Sequence, residues 1–484
     1  MAWRSWLVWM AILCWLSAQY LACMDYPLLA EDHTELHAMR PFASVVEVFT
    51  TDHPPPRPLQ HLVFYAGTHW TSIEPWAMRL PGFLVHLLAI VGAGRLARAL
   101  GFGSGTALAT SLLYAAFPAT HAIVYPASLG AVGRTAFGLW SLVFFVTSER
   151  RPLAAIPAIA CATIALLFHQ SATTLAAMFP LFAVLACRGP IEHLVPCIRR
   201  QLANPTWAGF LVVLALFFWA HRDADSPHTS LRSLASIAGN GVKGLFAVAP
   251  EDLRFPVVEA MRGHYGSFGF VLGLGAVLAV VTGFGIAVVR SGRVLRFLLL
   301  AIACDLLLPI STAGFSQRYA LLAGALFAIA AVSKSLSATR YRPFVLLLGL
   351  LWGFDTVRST LEAREAGHTV ARLLEVGARE RASLPVGCRL VVADLPLTWG
   401  REKDLMVLHW GFSEALSDRG VGGAFDLEYV RTQTFPGETR AKLVAPTELE
   451  RLRHDPNIVL LEYEPLARTF VVFRRGVRED AKPR

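Results

Sequence analysis

The chain has little charge for its length. Asp, Glu, Lys and Arg make up 16% of its 484 residues, against 55% hydrophobic residues and a mean hydropathy of +0.49. So few charges do not supply the polar surface that a soluble domain of this size needs, so a water-soluble fold is excluded and a polytopic membrane protein is expected. Cysteine is scarce too. The seven include no C-x-x-C pair, and Cys14, Cys161 and Cys304 sit inside apolar runs as small hydrophobes, so neither a cysteine-based metal module nor a disulfide framework is expected. The chain lacks internal repeats and low-complexity tracts. Its first apolar run lacks a clean small-x-small cleavage site and reads as a retained span.

What fills the chain instead is a series of apolar runs with little or no charge, at 6–24, 80–90, 105–124, 129–146, 153–168, 172–186, 207–220, 268–289, 294–310, 319–332 and 344–354. They suggest about eleven membrane-spanning helices. The net charge of +9 is explained by where the basic residues stand, not by nucleic acid as a partner. Arg4, Arg95 with Arg98, Arg150 with Arg151, Arg188 with Arg199 and Arg200, Arg290 with Arg293 and Arg296, and Lys334 with Arg340 and Arg342 all flank spans. With the N-terminus cytoplasmic, every cluster falls on the cytoplasmic side, which leaves the long segments and the C-terminus outside.

The expected fold class is therefore an α-helical polytopic membrane protein with a small C-terminal α+β extracytoplasmic domain. Residues 1–357 would form the membrane domain, with outer loops 25–79 and 221–267, and residues 358–484 the second domain. In the first loop Leu36, Met39, Val46 and Phe49 have helical spacing, suggesting a surface helix that Pro41 kinks or starts. In the tail a charged helical stretch at 361–381 precedes runs rich in branched residues at 389–393, 458–461 and 469–473, which read as strands.

Four groups of residues invite a chemical reading. Glu31 and Asp32 follow the first span, in a loop that also holds His33, His37, Arg40, Asp52, His53 and Arg57. Carboxylates at a membrane surface beside arginine suit acid–base work on a lipid-borne substrate, while Asp32 with Glu35 also fits a helix capping box. Arg134, His121, His169 and Arg318 stand at one depth near the outer ends of spans; together they suit a phosphate, and singly each suits interfacial snorkelling. Asp305 lies mid-span and needs a partner, a neighbouring helix being favoured over a proton relay. His221, Asp223, Asp225 and His228 form H-x-D-x-D-x-x-H, either ligands for a divalent cation or an ordinary exposed turn.

In order, Glu31-Asp32 after the first span, Arg57-Pro58-Leu59 before the second, His86-Leu87-Leu88 within it, Pro118, Gly133-Arg134, and His169-Gln170 before a run ending at Pro180 resemble the GT-C glycosyltransferases. That class includes the protein O-mannosyltransferases and the lipid A aminoarabinose transferases, which use polyprenyl-phosphate sugars. The resemblance implies that Asp32 takes the place of the catalytic acid, with Glu31 replacing the first member of an Asp-Asp pair. It implies that Arg57, Arg134, His169 and Arg318 face the donor phosphate. It further implies one inverting displacement at the outer face of the cytoplasmic membrane, onto a lipid, glycan or protein acceptor, without a nucleotide or an obligatory metal. His169-Gln170 stands where relatives often have Lys-Glu, which removes an acid. The competing expectations are an envelope polysaccharide polymerase or ligase, a transporter, and a non-catalytic scaffold; a transporter would need several mid-membrane polar residues, of which only Asp305 stands out.

Overall fold

The computed structural model describes residues 2–24, 26–50, 57–71, 73–118, 125–186, 196, 199, 204–220, 286, 291–312, 320–337 and 339–383, and in the tail 388–395, 398–399, 405–406, 412–418, 427–432, 442–464, 469–474 and 477–480. Each expected apolar run is helical over most of its described residues, with turns or bends at 22–24 and 116–118, the ends of the first and third runs. The helices are α1 (Ala2–Leu21), α2 (Ala30–Met39), α3 (Val45–Thr50), α4 (Pro58–His69), α5 (Pro75–Ala99), α6 (Ser104–Ala115), α7 (Leu129–Ser148), α8 (Ala155–Phe168), α9 (Thr174–Ala186), α10 (Pro205–Ala220), α11 (Arg293–Thr312), α12 (Leu321–Ser337) and α13 (Arg342–Ser383). Helix is the natural form for such runs, because hydrocarbon leaves each backbone N–H and C=O to be satisfied within its own segment. Pro75–Ala99, Pro126–Ser148 and Thr339–Ser383 are long and apolar enough to cross a membrane, and Ser5–Leu21, Pro152–Phe168, Pro205–Trp219 and Leu321–Ser335 are shorter apolar helices. Apart from Ile286, the run at 268–289 lies outside the described residues.

The chain divides into two compact units: Met1–Leu21 with Phe42–Val63 and Met78–Ser359, and Ala22–Pro41 with Phe64–Ala77 and Thr360–Arg484. In the first unit, small residues let helices approach closely, the usual means of packing where lipid removes the hydrophobic drive between helices. A Cβ on Gly133 of α7 would lie 2.3 Å from the Phe168 ring of α8. Phe137 stacks on that ring at 5.7 Å. Further along, Ser141 Oγ donates to the Ala158 carbonyl at 2.8 Å. Gly324 of α12 admits the Phe117 ring, which meets Trp352 of α13 edge-on at 4.8 Å.

The second unit is built on a six-stranded sheet, ordered β5-β4-β1-β6-β7-β8. The strands are β1 (Arg389–Ala393), β4 (Leu427–Arg431), β5 (Lys442–Leu443), β6 (Ile458–Glu464), β7 (Thr469–Arg474) and β8 (Val477–Asp480), with β2 (Thr398–Trp399) and β3 (Leu405–Met406) forming a separate pair. β5, β4, β1 and β6 run parallel, and β6, β7 and β8 antiparallel. The three expected strands are present, in a sheet whose centre is parallel; β1 is buried from Leu390 to Ala393, as a central parallel strand requires. Helices α14 (Phe412–Asp418) and α15 (Pro446–His454) fall in the connections from β1 to β4 and from β5 to β6.

The last apolar run and the charged helical stretch at 361–381 are continuous as one helix, α13, with no proline between them. One expectation is corrected. The expected surface helix is two, α2 and α3, separated around Pro41; Leu36 and Met39 are buried while Val46 and Phe49 are exposed, so the four do not share a face. Within the second unit, Tyr26 packs over Gly367 of α13 and meets His368 edge-on at 5.0 Å, Gly377 admits the Phe412 ring, and Arg474 Nε donates to Glu380 at 2.9 Å.

Candidate functional site

In the first unit, polar groups gather where α7 begins. Arg134, on the second turn of α7, is buried and forms an ion pair with Asp305 of α11. Asp305 is wholly buried, and its carboxylate also accepts the Ala323 N–H of α12 at 3.1 Å and the Thr174 hydroxyl of α9 at 3.3 Å. The mid-span acid thus has the neighbouring-helix partner its burial demands. One carboxylate ties four helices together, and the bonds from Ala323 and Thr174 give this buried acid the further hydrogen bonds that offset its desolvation. The Arg134 guanidinium also lies 3.5 Å from Thr174 Oγ1.

Thr174 leads to His169. Between α8 and α9 the chain breaks into a short 3-10 turn, Gln170–Thr173, and His169 caps it: Nδ1 accepts the Ser171 N–H at 3.2 Å and faces Ser171 Oγ at 2.7 Å. Thr174 Oγ1 lies 3.0 Å from the Ser171 carbonyl and so closes the turn from below. Gly130 sits against this turn, since a Cβ there would come within 2.8 Å of the Phe168 carbonyl and 3.5 Å of His169 Cδ2. The Gly130 N–H donates at 3.1 Å to Gln60 Oε1 on the first turn of α4. That turn begins beside half-buried Arg57, whose carbonyl accepts the His61 N–H at 3.0 Å. Arg134, His169 and, through Gln60, the helix start that carries Arg57 thus belong to one local assembly in the first unit.

Asp32 belongs to the second unit. It is wholly buried at the third position of α2, and its carboxylate accepts the Leu29 N–H at 3.1 Å. The helix begins one turn before Asp32, so Leu29 and Asp32 occupy the capping positions expected for Asp32 and Glu35. His33, also buried, has Nε2 3.2 Å from the Leu28 carbonyl. Glu31 lies on the first turn of α2, and its side chain is outside the described set.

Arg318, His121, Asp223 and Asp225 lie outside the described residues; among those described, no group of His, Cys, Asp or Glu is arranged to hold a metal. Sequence reasoning did not single out Gln60, Thr174 or Arg79, all three of them buried. Arg79 adjoins the start of the second apolar run, the position of an ordinary snorkelling residue, yet it is 1% exposed. Its burial has no signal in the local sequence.

Neither protein-family models nor curated proteins match the sequence. Among solved structures, the chain is similar to ArnT from Cupriavidus metallidurans in the apo state, at 15% identity and a TM-score of 0.45, covering 96% of this chain and 94% of that one. It is likewise similar to ArnT from the same organism bound to undecaprenyl phosphate, at 15% identity and a TM-score of 0.42, covering 98% and 96%.

Proposed function

We propose that the chain is a GT-C-type membrane glycosyltransferase that moves a sugar from a polyprenyl-phosphate donor to a lipid, glycan or protein acceptor at the outer face of the cytoplasmic membrane. The supporting observation is the polar assembly in the first unit, where a buried arginine, a capping histidine and the helix start beside Arg57 occur together in an otherwise apolar bundle. Such polar groups are costly in a membrane and mark sites of function by default. In this reading Asp32, or Glu31 beside it, takes the proton of the acceptor hydroxyl as its oxygen attacks the anomeric carbon. The bond from that carbon to the phosphate oxygen breaks, and the configuration inverts. Polyprenyl phosphate departs, held by Arg57, Arg134, His169 and Arg318. The charge of Arg134 is already matched by Asp305, so Arg134 would hold the phosphate as a hydrogen-bond donor more than as a net charge. The reaction requires no metal, because the leaving group is a phosphate already held by cations. A transporter is less well supported: Asp305, the acid that suggested one, is committed to a pair that holds helices together.

Asp32→Asn tests the acid. Asparagine keeps an oxygen for the Leu29 N–H and removes the charge, so catalysis separates from capping. Transfer should fall by about 100-fold or more at matched protein amounts, the scale of a lost general base. Full activity would move the role to Glu31 or end it.

A further inference from the structure

Helix α5 carries its own depth scale. Trp76 on its first turn and Arg95 near its other end are both exposed, and the stretch between them is about 29 Å of helix, against a hydrocarbon layer of about 30 Å. Trp76, Leu80 and Leu84 repeat every four residues and so lie along one side of the helix, and exposures of 48%, 36% and 53% leave that side open to lipid. Trp76 and Arg95 thus mark the two membrane boundaries.

The turn before α5 is unusual in its own right. The chain leaves α4 with the Thr71 N–H on the Ala66 carbonyl at 3.2 Å and the Ile73 N–H on the Gly67 carbonyl at 3.1 Å, and Ile73 takes φ +60°. In that left-handed region a helix end ordinarily has glycine, and a β-branched residue is strained. Three positions to either side of Ile73 stand Trp70, 66% exposed, and Trp76, with exposed Glu74 between.

We propose that residues 70–76 are an interfacial anchor that seats in the lipid headgroup layer where α5 begins. Indoles suit that layer, because the ring prefers apolar surroundings while its N–H prefers a polar partner. The patch runs on into the stripe of Leu80 and Leu84, so lipid, not a protein partner, is what covers it. Ile73 supplies an apolar side chain that the glycine expected there lacks, which accounts for a strained residue in an exposed turn. The Glu74 carboxylate keeps the turn at the water boundary, since a charge is costly below it. Arg79, one turn past Trp76 and buried, is thereby fixed just beneath the headgroups.

Depth-dependent quenching tests the placement. Full-length protein is reconstituted in phosphatidylcholine vesicles whose acyl chains carry bromine either near the headgroup or near the bilayer centre, with iodide as the quencher in water. The chain has twelve tryptophans, so the light from Trp70 and Trp76 is taken as the difference between wild type and Trp70→Phe or Trp76→Phe. Each difference should be quenched at least about twofold more by the shallow bromine than by the deep one or by iodide, as for an aromatic ring at the interface. Emission that iodide quenches most, or that no quencher reaches, would overturn the proposal, and emission quenched most by the deep bromine would overturn the headgroup placement. Ile73→Asn tolerates the left-handed backbone and removes the apolar side chain, so iodide quenching of Trp70, measured against the same variant with Trp70→Phe, should rise about twofold. No rise would overturn the part assigned to Ile73. Where a phenylalanine variant fails to fold, wild-type protein is photolabelled with lipid carrying a diazirine in its headgroup; label on residues 70–76 is expected, and its absence there overturns the proposal.

Discussion

Asp305 shows what a single residue position does and does not disclose. A carboxylate in the middle of an apolar run announces that it needs a partner, and nothing local says which. Arg134, equally visible, suits an anion, and its pairing with the Asp305 carboxylate is not announced by the sequence around either residue. Distant pairings of this kind depend on how helices are arranged, which no local pattern encodes. Asp32 was legible as a capping acid, but its place in the helix was off by one turn, because Leu29 supplies no capping side chain that the sequence could reveal. The pair makes a stability prediction. Asp305→Asn should leave the Arg134 charge buried and uncompensated, lowering unfolding stability by about 3–5 kcal/mol, whereas combining Arg134→Met with Asp305→Leu should restore most of the loss. Unfolding midpoints of the single and double variants measure this, and a double variant as unstable as the single one would contradict it.

At the scale of elements, the helices were legible because long apolar runs leave the backbone few alternatives. Their joins were less so. Gly349 and Gly353 lie within the last apolar run and Gly367 beyond it, yet α13 continues through all three. The strands at 389–393, 458–461 and 469–473 were visible as branched runs, while β4 and β5 are short and gain their place by pairing beside β1, a long-range fact. Glycine at helix contacts carries a further expectation. Gly133→Ala would push a methyl into the Phe168 ring and against the helix break that leads to His169. A loss of about 1–3 kcal/mol in detergent unfolding stability is expected, as for other overpacked contacts. Gly103→Ala, where a Cβ would meet nothing within 4 Å, serves as the control.

For the molecule as a whole, composition and the placement of basic residues made a membrane protein plain, and the change of composition near residue 358 marked the start of the tail. The sequence did not reveal that Ala22–Pro41 and Phe64–Ala77 belong with the tail as one compact unit. Tyr26 over Gly367 joins segments more than three hundred positions apart, and Phe412 over Gly377 joins the helix to the tail, through contacts that only glycine permits, and a glycine in a charged helix does not advertise its partner. The functional account depends on the donor more than on any other point. Its most direct measurement uses the purified chain in liposomes with labelled polyprenyl-phosphate sugars, a membrane extract as the source of acceptor, and labelled nucleotide sugars in parallel. The account expects label to leave a lipid donor for an acceptor with inverted anomeric configuration, and none to leave the nucleotide sugars. Transfer from a nucleotide sugar, or movement of the lipid-borne sugar with its configuration retained, would contradict it.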